Sequence, residues 1–121
     1  MYFFSNSQAR VNKHISMEFN ASYVYLAMGN HFERDDVALP GFAGFFKRAS
    51  VEERDHGAKF MEYQNLRGGR IVLKQINVPN KPAWVTATEA VEDAIELEKN
   101  VNKVSALNTQ YVDYLNPRCS R

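Results

Sequence analysis

The chain has 121 residues, 45% of them hydrophobic and 24% charged, with a formal net charge of +1. That length makes one domain, the apolar content excludes a disordered chain, and the near-neutral balance gives no footprint for nucleic acid or a membrane surface. No apolar run approaches the roughly 20 residues of a membrane span. The opening Met1-Tyr2-Phe3-Phe4 lacks the basic start, apolar length and cleavage site of a signal peptide. Cys119 is the single cysteine, which rules out an internal disulfide and a cysteine-based zinc site. A reducing cytoplasmic location is the expectation.

There are no internal repeats, and three long segments read as helices. The first is expected from about Ser7 to Arg34, with no proline and only Gly29 inside it. Val11, Ile15, Ser22, Tyr25 and Gly29 share one face at the four-three spacing of a helical stripe. Asp35-Asp36 and Pro40-Gly41 mark a turn. The second helix runs from near Gly41 to Gly68-Gly69, where glycine suits a left-handed cap. Its inward stripe is Phe42, Phe46, Ala49, Glu53, His56, Phe60 and Tyr63.

A proline-punctuated connection follows, from Arg70-Ile71-Val72-Leu73 through Pro79 and Pro82. At about 17 residues it is long for a compact helical domain. Antiparallel neighbours need only a short loop, so this length predicts a crossover along the bundle. The third helix begins after Thr86 or Thr88, either of which could cap it, with Glu89 and Glu92 suiting a positive helix start. Its stripe is Ala87, Val91, Ala94, Glu98, Val101 and Ser105. Asn116-Pro117 ends any helical continuation.

The informative residues are those that interrupt the stripes. Glu18 interrupts the first, Glu53 and His56 the second, and Glu98 the third, so each helix aims a carboxylate inward. An unpartnered buried carboxylate costs several kcal/mol or neutralises, and converging carboxylates repel. A cation makes such a cluster tolerable, and hard oxygen ligands with one imidazole suit iron. Glu53-Arg54-Asp55-His56 sets a Glu-x-x-His pair about 4.5 Å apart along the axis, the spacing of ferritin-like di-iron bundles. Alone, that tetrapeptide occurs on many surface helices; matching depths on three helices give it weight.

These residues resemble a known family closely. Ala21-Ser22-Tyr23-Val24-Tyr25-Leu26 and Phe32-Glu33-Arg34-Asp35-Asp36-Val37-Ala38-Leu39 are similar to the first helix and turn of animal ferritin heavy-type chains. Glu52-Glu53-Arg54-Asp55-His56 and Gln64-Asn65-Leu66-Arg67-Gly68-Gly69-Arg70-Ile71 resemble the second helix and its cap. Leu97-Glu98-Lys99-Asn100-Val101-Asn102 resembles the middle of the third. The likeness runs from about Ser7 to Lys103.

The resemblance implies an all-α, ferritin-like four-helix bundle with a long crossover. Only three of the long helices are expected in this chain, the fourth being missing. It implies a cytoplasmic iron-storage subunit of a hollow 24-subunit shell, oxidising Fe(II) with O₂ at a di-iron centre. Carried over by position, Glu18 and His56 would serve one iron, Glu53 would bridge, and Glu98 would serve the other. Tyr25 would be the neighbouring tyrosine. Glu52 and Asp55 match two positions of the family's mineral-nucleating cluster; the third is Ala58 here, a departure that weakens nucleation.

Residues 1–6 and 104–121 lie outside this likeness. Val104-Ser105 fits a splice-donor consensus and the opening residues an acceptor tract, so intron read-through is the expectation for both ends. Two rivals remain: a catalytically inactive chain that only co-assembles with full-length subunits, and a metal-free helical interaction module. His14 and His31 have no matched partners and are expected at the surface.

Overall fold

The structure is a computed structural model. It describes residues 3–105, and side chains over 7–102; the expectations for Cys119 and most of the 104–121 tail lie outside the described residues. The elements are α1 (Phe3–Glu33), α2 (Pro40–Leu66) and α3 (Ala87–Ser105). The three expected helices are present, with α1 starting four residues earlier than its stripe suggested. Among the described residues no helix is long and apolar enough to cross a membrane.

Each boundary has a local cause. After α1 the chain reverses through Ala38 in the left-handed region, with φ 50°, and Leu39 N–H returns to the Phe32 carbonyl at 2.9 Å. Pro40 then opens α2, where its missing N–H costs nothing. At the far end Gly68, with φ 76°, donates to Asn65 O, and Gly69 donates to Gln64 O at 2.9 Å. These two bonds make a Schellman cap. For α3 the structure decides between the two threonines: Thr86 Oγ1 accepts from Glu89 N–H at 3.1 Å, while the Glu89 carboxylate accepts from Val85 N–H.

The core forms around α1 and α2, which pack antiparallel along their length. Towards one end Val11, Ile15, Phe60 and Tyr63 make an apolar cluster. Towards the other, Tyr25, Met28, Phe32, Ala43, Phe46, Trp84 and Ala90 make a second. The helices approach closely at Gly57, where an added Cβ would lie 2.9 Å from the Phe19 ring. Between the two clusters lies a polar layer containing Glu18, Ser22, Ser50 and Glu53.

The connection from α2 to α3 is a crossover, as its length implied. Amides on α1 hold it in place. Gln8 Oε1 accepts from Arg70 N–H at 2.9 Å, Asn12 bonds both Arg70 O and Val72 N–H at 3.0 Å, and Asn20 Oδ1 accepts from Asn77 N–H at 2.8 Å. The segment ends on Trp84, buried beside α1 with its indole N–H on Asp93 at 2.9 Å. Running beside α1 from Gln8 to His31, the crossover delivers α3 antiparallel to α1 and parallel to α2.

α3 packs on α1 but scarcely touches α2. The two leave between them a groove of about 850 Å³, lined by Phe42, Phe45, Val91 and Ile95, with Glu53 and Glu98 in its wall. Phe42 and Val91, expected to face inward, are therefore exposed. Their stripes do point at the bundle axis, but no described element covers that corner.

The expectation for His14 and His31 is corrected. Both are buried, at 1% and 6% exposure. His14 packs against Phe60 with ring centroids 5.0 Å apart. His31 lies edge-on to Phe32 and Trp84 at 5.0 and 5.7 Å. The ring carbons of both histidines pack among aromatic side chains, and Trp84 arrives from the crossover, which the periodicity of α1 cannot reveal.

Candidate metal centre

α1 and α2 place the central groups of the polar layer. Glu18 follows Ile15 by three residues and so stays on the buried stripe, with 3% exposure; Glu53 follows Ser50 in the same way on α2, with 7%. His56, one turn beyond Glu53, is half-exposed at the rim. One oxygen of Glu18, one of Glu53 and one His56 nitrogen lie within 4.8 Å of one another. His56 Nδ1 is 3.6 Å from Glu53 Oε2 and 3.8 Å from Glu18 Oε2, ion-pair separations too long for hydrogen bonds. Glu18 Oε2 and Glu53 Oε2 are buried without a hydrogen-bond partner.

Glu98 comes from α3 and stands beside this group, half-buried, outside the tight triad. Its Oε1 accepts a hydrogen bond from the Tyr25 hydroxyl at 2.6 Å, and it interacts with Glu53 across the layer. Glu53 is thus the carboxylate in reach of Glu18, His56 and Glu98 at once. Glu52 and Asp55 are exposed on α2, Glu52 at the wall of the groove.

The electrostatics follow from crowding acids in a half-dry space. Burial pushes the Glu53 carboxyl up, with His56 pulling it back and Glu18 raising it further. Burial likewise raises Glu98, opposed by the Tyr25 hydrogen bond. The Glu18 carboxylate, then Glu53, holds the His56 imidazolium up to about 10 against the effect of burial. Tyr25 is pushed far above the ordinary phenol range by burial and by its bond to Glu98.

Two orphaned carboxylate oxygens and an imidazole converging on one point fit a divalent cation, which would satisfy the lone pairs and offset the repulsion. The donor set is hard oxygen with a single nitrogen, suited to Fe(II). Sequence reasoning named all of these groups. It placed Ser22 on the α1 stripe without a role and did not single out Ser50; the signal for them was a serine one helical turn from a buried acid on each helix.

A helical bundle with acids and an imidazole between its apolar halves is the class of protein the fold describes. The ferritin-like domain model matches residues 8–109. The chain is 54% identical over 99 residues to the soma ferritin of Lymnaea stagnalis, covering 82% of this chain and 57% of that protein. It is 55% identical over 96 residues to the ferritin-1 heavy chain of Schistosoma mansoni, covering 79% and 56%. Against the ferritin lower subunit of Aquarana catesbeiana identity is 44% over 101 residues, covering 84% and 58%. The chain belongs to the ferritin family, and it spans a little over half the length of these relatives.

Proposed function

We propose that the chain is a heavy-type ferritin subunit that binds Fe(II) as substrate and oxidises it with O₂ to Fe(III) for storage. The observation that carries this is the convergence of Glu18, Glu53 and His56 within 4.8 Å, two of them with buried, unpartnered oxygens. In this reading Glu18 and His56 hold one iron, Glu53 bridges, and Glu98 serves the second. Carboxylates stabilise Fe(III) over Fe(II), so the ligands favour electron loss to O₂. Tyr25 keeps Glu98 turned towards Glu53. The exposed Glu52 and Asp55 offer weak nucleation of the ferric product, and the subunit works with other ferritin subunits in a cytoplasmic 24-subunit shell.

The test is anaerobic Fe(II) titration followed by O₂ admission, with oxygen uptake and the near-ultraviolet absorption of Fe(III) recorded together. Saturable binding and Fe(II)-dependent uptake, both lost in Glu53→Ala, are expected. Absence of binding by the intact chain would defeat the reading.

The open groove beside Glu98 favours a second reading, in which the chain is inactive alone and joins full-length subunits. Copurification with a full-length ferritin, without oxygen uptake by the chain itself, distinguishes it. The metal-free module predicts that Glu53→Ala and His56→Ala change nothing.

A further inference from the structure

We propose that Ser22 and Ser50 are positioning residues that set the axial register at which α1 and α2 bring Glu18, Glu53 and His56 together. The inference rests on the reading of that cluster as an Fe(II) site. Ser22 Oγ donates to the Ser50 carbonyl at 2.7 Å, and Ser50 Oγ donates to the Ser22 carbonyl, also at 2.7 Å. The two hydroxyl oxygens are 3.1 Å apart. Each hydroxyl has one proton and gives it to the opposite backbone, so the pair closes a reciprocal clasp. Each carbonyl retains a second lone pair for its own helix, and neither helix loses a bond.

The clasp is placed where register matters most. Ser22 lies four residues after Glu18 on α1, and Ser50 three before Glu53 on α2. Because the helices run antiparallel, both acids fall on the same side of the clasp, roughly one turn or ~5 Å away. Apolar contacts on either side, such as Ile15 with Phe60, are non-directional and accommodate small slips by rotamer adjustment. Two opposed hydrogen bonds to main-chain atoms do not, since they lengthen whichever way α1 slides. The site does not set its own register: Glu18 and Glu53 repel, and His56 Nδ1, which offsets them, stands 3.8 and 3.6 Å away without a directional hydrogen bond. Metal–ligand distances are fixed to about 0.2 Å, so a slip that packing would tolerate still disorganises the site. Packing alone does not call for the hydroxyls, since alanine would fill nearly the same volume.

The test compares the intact chain with Ser22→Ala, Ser50→Ala and the double variant. Ile15→Val serves as a control destabilised by apolar trimming away from the clasp. Anaerobic Fe(II) affinity is expected to fall about 10-fold in each alanine variant, the size of effect seen when supporting hydrogen bonds around ligands are removed. Ile15→Val is expected to lower the unfolding midpoint while binding Fe(II) like the parent. Alanine variants that unfold earlier yet bind Fe(II) unchanged overturn the proposal.

Register is also read directly, without metal. Spin labels at Lys13→Cys and Arg48→Cys, in a Cys119→Ser background, sit at different heights on the two helices, so their separation reports axial sliding. A shifted or broadened distance distribution in the double alanine variant supports the clasp; an unchanged one overturns it. If the parent chain binds no Fe(II), the iron reading fails by itself while the spin-label distances still decide the role of the serines.

Discussion

The hydroxyl of Tyr25 on α1 meets Oε1 of Glu98 on α3 at 2.6 Å, tying the helix that α2 barely touches to the acid layer that α2 helps to build. The bond has a charged acceptor, so it is stronger than a neutral pair. Tyr25→Phe should lower stability by about 1–2 kcal/mol, measured by urea unfolding. It should also weaken the second Fe(II) equivalent more than the first, because Glu98 is left free to turn away. Equal loss at both equivalents would separate Tyr25 from Glu98.

Protonation of His56 should compete with Fe(II). Its imidazolium is held up to about 10 by Glu18 and Glu53, so at neutral pH binding must displace a proton. Affinity should rise about tenfold per pH unit up to that value, with acid released into a weakly buffered solution during titration. Binding that is flat between pH 6 and 8 would contradict the geometry.

The sign for the metal-free protein follows from the same shift. A raised imidazole contributes stability fully below its ordinary value of 6.5, and that contribution fades as pH rises through about 10. Glu53 and Glu98 are raised as well, so their effect runs in the same direction and begins at lower pH. Urea midpoints should therefore fall from pH 6.5 to 10, and His56→Ala should flatten that fall.

Glu53→Gln separates stability from function. The amide keeps the volume, removes one of the crowded charges and can donate to Glu18 or Glu98. The metal-free chain should gain about 1 kcal/mol while losing Fe(II) binding, the usual opposition between a strained site and a stable fold. A loss of stability would mean the acids are better satisfied than their orphaned oxygens indicate.

A close helix contact gives a test of packing alone. At Gly57 a methyl group would press on the Phe19 ring at 2.9 Å. Gly57→Ala should cost about 1–3 kcal/mol, despite alanine's better helix propensity. A more stable variant would show that Phe19 can move aside.

Much of this was legible in the chain itself. The stripes gave the three helices, and the acids that interrupt them gave the layer, because a buried charge is conspicuous in a 3.6-residue period. The crossover was visible as a connection too long for neighbours. What escaped notice depends on partners remote in sequence. His31 is hidden by Trp84, 53 positions further on, and His14 by Phe60. Phe42 and Val91 point as their stripes say, yet exposure depends on what fills the opposite corner. Gln8, Asn12 and Asn20 look like ordinary surface amides until the crossover supplies the backbone they bind.

Those three amides have a consequence for how the chain tolerates change in length. The strap is fastened at Gln8, Asn12 and Asn20, and again at Trp84, so its span between fastenings is set by α1. An extra residue between Asn77 and Trp84 can loop outward, leaving each fastening and the start of α3 in place. A missing residue can be drawn from the bends at Asn80 and Pro82, since the stretch from Asn77 to Trp84 reaches about 23 Å when extended and α1 rises only about 17 Å from Asn20 to His31. A one-residue change of either sign there should therefore be absorbed, whereas loosening the fastening at Asn20 or Trp84 should free the start of α3.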